Sequence, residues 1–235
     1  MIKQTPGKIF LADQRGLTET SRFRRYSTFN FGGYAHEHKA PFGRLHAVNE
    51  ETLGGGQHLE FRADRDTHVL LIPVTGELLV SLPTQENAVV EVETMHLLTV
   101  PAGSTIRLRN PYASELVTFL HLWVQTNAPV TTISSQQYVF GLSSSGGQLA
   151  EAAAPQQASM PVPFSVYLGR FAGRQEVVYQ LPRKSSFFAY VLAGAFEAEG
   201  RLLHEKDSLA LWETDEIELE ALSNNALLLV LELKS

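Results

Sequence analysis

The sequence predicts an all-β protein made of two barrel-type domains. Three observations carry this. Short apolar runs are broken by turn residues about every 8–12 positions, the spacing of a sandwich or barrel. The two halves of the chain echo each other, and a small, polar stretch separates them.

The strand-like runs follow in order. Val69-Leu70-Leu71-Ile72-Pro73-Val74 is apolar and is followed by Gly76; Leu78 to Leu82 comes next and stops at Pro83. Val89 to Glu93 alternates as a half-buried strand does. Leu97 to Val100 ends at Pro101-Ala102-Gly103, and Leu116 to Val124 closes the first half. Ser143-Ser144-Ser145-Gly146-Gly147 and Ala152-Ala153-Ala154-Pro155-Gln156-Gln157 then read as a linker, with a helical turn over 148–153 as an option. The pattern resumes at Phe164 to Leu168 and runs through Glu176 to Tyr179, Phe187 to Leu192, Leu209 to Trp212, Ile217 to Leu219 and Leu227 to Leu233. VLLIPVTGELL at 69–79 matches FAYVLAGAFEA at 188–198, each an apolar strand, a glycine and a second strand. Duplication of a barrel is the economical explanation. The expected organisation is an N-terminal barrel with an N-terminal extension over 1–140, a linker over 141–161 and a smaller barrel over 162–235.

Composition excludes several functions. The chain has 235 residues, 44% hydrophobic and 19% charged, an ordinary globular balance. Its formal net charge of −6 carries no long run of one sign, which argues against a nucleic-acid surface. The one basic knot, Arg22, Arg24 and Arg25, reads as a solvated loop. There is no cysteine, which removes disulfides, thiolate metal sites and thiol nucleophiles. No apolar stretch approaches the roughly 20 residues of a membrane helix, and the first residues lack a signal core, so a cytoplasmic protein with no membrane contact is expected. Phosphate-loop, nucleophile-elbow and zincin motifs are absent; Gly54-Gly55-Gly56 reads as a turn.

A more specific signal lies in the first half. Ala12-Asp13-Gln14-Arg15-Gly16 precedes Ser27-Thr28-Phe29-Asn30-Phe31-Gly32-Gly33-Tyr34, then Phe42 to Glu51 and the glycine patch at 54–56. Pro101-Ala102-Gly103, Asn110-Pro111 and Leu120-His121-Leu122-Trp123-Val124 follow. In this order the chain resembles the pirin family, and residues 162–235 resemble that architecture's second cupin. The resemblance implies two cupin-type, double-stranded β-helix or jelly-roll barrels, a bicupin.

The resemblance also implies a metal, often iron, in the first barrel, held by a His-x-His pair, a later histidine and a glutamate. Counted back from Gly76, the paired positions fall on Arg62 and Asp64; the later histidine falls on Leu108 or Ile106, and the glutamate among Arg109 and Asn110. A guanidinium is permanently cationic and cannot ligate a cation. No metal site and no cofactor are therefore expected. In the second half the paired positions fall on Gln180 and Pro182, and His204 is in a polar hairpin.

His68 is in phase with Arg62, Asp64 and Asp66, so an inward cluster of Arg62, Asp64 and His68 over Leu108 is the candidate ligand pocket, suited to a small anionic or aromatic molecule. An internal salt bridge filling the old metal position is the plainer reading. His36 and His38 form an H-x-H in a polar loop, read as solvated; with His58 they are the alternative metal ligands. His121, in an alternating strand, reads as a hydrogen-bonded core histidine. The sequence thus points to a binding or regulatory protein. A quercetinase-like dioxygenase with non-standard ligands is the second reading, and a protein partner rests on family analogy alone.

Overall fold

The computed structural model describes residues 5–83, 85–141, 146–153 and 161–234. Among them the first twelve strands are β1 Gly7–Phe10, β2 Gly16–Glu19, β3 Phe23–Ser27, β4 Leu45–Leu53, β5 His58–Arg62, β6 Thr67–Thr75, β7 Leu78–Leu82, β8 Gln85–Val90, β9 Thr94–Val100, β10 Thr105–Arg109, β11 Val117–Gln125 and β12 Ser134–Val139. The remainder are β13 Ala150–Ala153, β14 Phe164–Phe171, β15 Glu176–Gln180, β16 Ser186–Ala193, β17 Phe196–Ala198, β18 Arg201–Leu203, β19 Ser208–Leu211, β20 Glu216–Ala221 and β21 Ala226–Leu233. The one helical element described is a 3-10 turn at Ala12–Gln14.

Arg15–Phe140 form one unit, and Met1–Gln14 with Gly141–Ser235 form the other. The first unit has a seven-stranded sheet, β12-β9-β6-β11-β4-β3-β2, and a four-stranded sheet, β5-β10-β7-β8. The second has a six-stranded sheet, β1-β19-β16-β21-β14-β13, and a four-stranded sheet, β15-β20-β17-β18. The cores match strand for strand: β9-β6-β11-β4 corresponds to β19-β16-β21-β14, and β5-β10-β7-β8 to β15-β20-β17-β18. The echo seen in the sequence is thus a repeat of the whole topology. Gly76 and Gly194 sit at the equivalent turn, with φ of +70° and +79°, a region that glycine enters without steric cost.

The repeat assigns the N-terminus differently from the sequence reading. β1 pairs with β19, Gly7 opposite Leu211 and Phe10 opposite Ser208. Phe10 is buried and its ring lies 6.4 Å from that of Phe188. The described part of the expected N-terminal extension, residues 5–14, therefore belongs to the C-terminal unit, where β1 takes the edge that β12 takes in the other. The helical turn proposed for 148–153 is instead strand β13, paired with β14. Residues 142–145 and 154–160 of the expected linker lie outside the described residues.

Each unit closes over its own core. In the first, Leu59, Phe61, Val69, Leu71, Ile106, Leu108, Phe119 and Trp123 meet; in the second, Phe171, Phe187, Leu209, Ile217, Leu228 and Val230 do. β6 is buried along most of its length on both faces, which is why its sequence is continuously apolar rather than alternating. Its Pro73 cannot donate to a ladder, and the partner strand β11 shifts register beside it, between Thr118 and Phe119. No described helix is long and apolar enough to cross a membrane.

Candidate ligand-binding site

β3 carries the surprise of the first unit. Strand residues two apart share a face, so Phe23, Arg25 and Ser27 turn inward together while Arg24 turns out. Arg24 is exposed and pairs with Glu19. Arg25 keeps only 11% of its side chain exposed and forms an ion pair with Glu51, whose side chain is fully buried. The basic knot expected as a solvated loop is a strand with one cation inside the barrel.

Around this pair runs a continuous hydrogen-bonded chain. The register sets Arg25 opposite Glu51 and Glu51 opposite Phe119, with His121 two residues along β11. Arg25 Nε–H donates to Glu51 Oε1. His121 Nε2 lies 3.0 Å from the same oxygen, and Trp123 Nε1–H donates to His121 Nδ1 at 2.7 Å. An indole nitrogen can only donate, so Nδ1 must accept and the ring proton resides on Nε2. Burial holds the His121 pKa below its usual value against the opposing pull of Glu51, and Arg25 lowers it further. The imidazole is therefore neutral, with a fixed tautomer. His121 is the hydrogen-bonded core histidine that its strand predicts.

Aromatic rings enclose the chain. The Arg25 guanidinium carbon lies 5.2, 5.0 and 5.1 Å from the ring centres of Phe23, Phe31 and Phe61, within cation–π range. Phe31 reaches in from the loop after β3 and stands edge-on to His121 and Trp123 at 5.5 and 5.8 Å. Phe23, Arg25, Phe31, Phe61 and Trp123 form the inner wall of a cleft of about 700 Å³, which His46, Arg62, Asp64 and Arg65 also line. His46 is partly buried and its pKa is lowered to about 4, chiefly by that burial. Deeper on the same face, Ser27 Oγ, both amide atoms of Asn49 and Glu51 Oε2 are buried without a hydrogen-bond partner. Ser27 and Asn49 are directly opposed, and Asn49 is opposite His121.

The four residues read from the sequence as one inward cluster lie in three places. Arg62 is the exposed last residue of β5, whose inward side chains are Leu59 and Phe61. Asp64 is exposed and pairs with Arg65 through two hydrogen bonds of 3.1 and 3.0 Å, which lower its pKa. Both residues border the cleft. His68 is buried on the other face of β6 from Val69 and Leu71, with Nδ1 2.8 Å from Thr99 Oγ1. Leu108 and Ile106 both lie in the core, opposite Leu59 and Phe61.

The cluster fails because residues 63–66 bend between strands of different sheets, so alternation does not carry from β5 into β6. Asp66 holds that bend by accepting the amides of Ala102 and Val130 at 2.8 and 2.9 Å. His36 and His38 sit in an exposed turn with rings 5.6 Å apart, and His58 is exposed on β5.

These residues do not fit a metal. Among the described residues no three histidine or carboxylate side chains converge in a way that could hold an ion. Where a buried imidazole and a buried carboxylate meet, at His121 and Glu51, the third partner is a guanidinium; His38 and Glu37 also pair, at 3.2 Å, but in an exposed turn. The orientation is testable: the triple change Arg62→His, Asp64→His and Leu108→His should not retain a divalent metal through gel filtration, because two of the three imidazoles start outside the barrel. Stoichiometric retention would contradict the assigned orientations.

The comparisons agree with the repeat. Residues 156–233 match the family model of the quercetinase C-terminal cupin domain. A curated relative, quercetin 2,3-dioxygenase of Escherichia coli strain K12, is 23% identical over 224 residues, covering 93% of this chain and 95% of that protein. Among solved structures, YhhW from Escherichia coli superposes with a TM-score of 0.87 at 17% identity, covering 97% of both chains. The bacterial pirin YhhW in complex with nickel(II) gives 0.86 at 16% identity, over 97% of this chain and 99% of that one. GK1651 from Geobacillus kaustophilus gives 0.74 at 16% identity, over 99% and 96%. Two repeated barrels of this topology define a bicupin. Within that class, the chain is similar to the bacterial pirin YhhW and to quercetin 2,3-dioxygenase.

Proposed function

We propose that the N-terminal barrel is a small-molecule binding module whose metal site is degenerate, and that the chain acts as a cytoplasmic binding or regulatory protein rather than as an enzyme. The observation that carries this reading is the Arg25–Glu51–His121 unit. It brings a fixed cation to the fully buried imidazole–carboxylate contact of the first barrel, His121–Glu51. A metal ion there would meet like charge. The cleft beside it has the size and the mixture of aromatic walls and few polar groups that small-molecule sites have. Arg62 and Asp64, with His46, supply polar groups around its opening.

A second reading, a dioxygenase acting on a flavonol, is favoured by the relative named quercetin 2,3-dioxygenase. Oxygen uptake separates the two. With quercetin and added iron or nickel, the purified protein should consume no oxygen above the protein-free control. Metal-dependent uptake that follows protein concentration would establish the dioxygenase and sink the binding-protein reading.

A further inference from the structure

The cation of this cleft has an unused end. Arg25 gives Nε–H to Glu51, but among the described residues neither Nη1 nor Nη2 donates a hydrogen bond to the protein. The guanidinium is held face-on among Phe23, Phe31 and Phe61, and it lines the cleft with Trp123. At Gly32 a side chain would start 3.6 Å from Arg25 Nη1, so the glycine leaves the approach to that nitrogen open. A guanidinium offers its donors in a rigid planar fork that matches a carboxylate in the plane of an aromatic ring. Its rotamer is already fixed by Glu51 and the rings, so little freedom remains to be lost on binding.

The rim adds to this. Arg62 is exposed, and no described acidic partner holds it. Arg65 is matched by Asp64, and Glu60 lies 3.8 Å from Arg107. The surplus charge at the opening is therefore positive, while that of Arg25 is offset by Glu51.

We propose that Arg25, not Arg62, is the anchor of the cleft, and that the cleft takes a planar aromatic carboxylate, with the carboxylate on the Nη1/Nη2 edge and the ring among Phe31, Phe61 and Trp123. This rests on the reading of the cleft as a small-molecule site. Arg62 contributes long-range attraction from the rim, which salt weakens.

The test uses 2-naphthoate and its neutral analogue 2-naphthamide, titrated calorimetrically into the full chain. The carboxylate should bind at least roughly tenfold more tightly than the amide, as expected for charge-assisted hydrogen bonds. Arg25→Lys keeps the charge without the fork and should abolish that preference, whereas Arg62→Gln should weaken binding no more than about threefold and only at low salt. Because Arg25→Lys could unfold the barrel, the wild type is also labelled with nitrogen-15 arginine. Naphthoate should shift one set of Nη resonances and slow their rotation.

Equal binding of the acid and the amide, or loss of binding in Arg62→Gln with retention in Arg25→Lys, overturns the Arg25 assignment while leaving the cleft as a small-molecule site. Absence of binding by both probes, with unmoved arginine resonances, overturns the assignment and removes its support from the cleft reading as well.

Discussion

Arg25→Met is expected to destabilise the N-terminal barrel by about 3–5 kcal/mol at neutral pH. The reason lies in what stays behind. Glu51 is fully buried, its Oε2 has no hydrogen-bond partner, and without Arg25 its charge is met only by the Nε2–H of a neutral histidine. Burying an unpaired carboxylate costs far more than the pair contributes when intact. The double change Arg25→Met, Glu51→Gln removes both charges and keeps an acceptor for His121, so it should recover at least half of the loss.

The single variant also has a pH signature. Burial penalises an unpaired carboxylate only in its charged form, so the gap to wild type should narrow on acidification. Denaturant melts of the three proteins at pH 7 and pH 5 measure all of this. A cost under about 1 kcal/mol for Arg25→Met would mean that the pair is not buried as described.

The second large effect is acid sensitivity of the wild type. His68 and His96 are buried, and burial lowers both pKa values to about 4. The unfolded chain takes up these protons near pH 6.5 and the folded chain does not. Stability therefore falls as pH drops through 6.5 and goes on falling to about 4, below which this contribution is constant. For each ring the gap between 6.5 and about 4 is worth about 3 kcal/mol. His46, also lowered to about 4, adds a smaller share because it is less buried. Unfolding free energies between pH 6.5 and 5, above most carboxylate titration, should decline with a slope of more than one proton. His68→Asn should flatten that slope by close to one proton. A flat profile over this range would show that these rings titrate in the fold as they do in water.

The strands, their turns and the duplication were legible because they rest on local signals: apolar runs such as Val69 to Val74, punctuation at Gly76 and Gly194, and two matching hairpins. The placement of β1 was not legible, because nothing in Gly7-Lys8-Ile9-Phe10 says which of two similar barrels it joins. The inward cluster of Arg62, Asp64 and His68 was misplaced for a related reason. Alternation holds within a strand and not across a bend, so counting from Arg62 to His68 through residues 63–66 lost its phase. Arg25 and Glu51 were legible in principle. Phe23, Arg25 and Ser27 alternate in step, as do Ala47, Asn49, Glu51 and Leu53, and opposite charges in phase with apolar neighbours signal an internal pair. The neighbouring Arg22 and Arg24 made the stretch resemble a solvated run. His121 was read correctly because its strand keeps one register from Phe119 to Trp123.

The central claim is that the first barrel has exchanged a metal for an internal guanidinium–carboxylate–imidazole unit. It is tested most directly by elemental analysis of the wild-type protein, expressed in medium supplemented with iron, nickel, zinc and manganese and then gel-filtered without chelator. The account predicts less than about one metal in ten chains for each element, because divalent ions need converging neutral or anionic donors. One tightly held metal per chain, surviving gel filtration and lost on Glu51→Gln or His121→Gln, would contradict it.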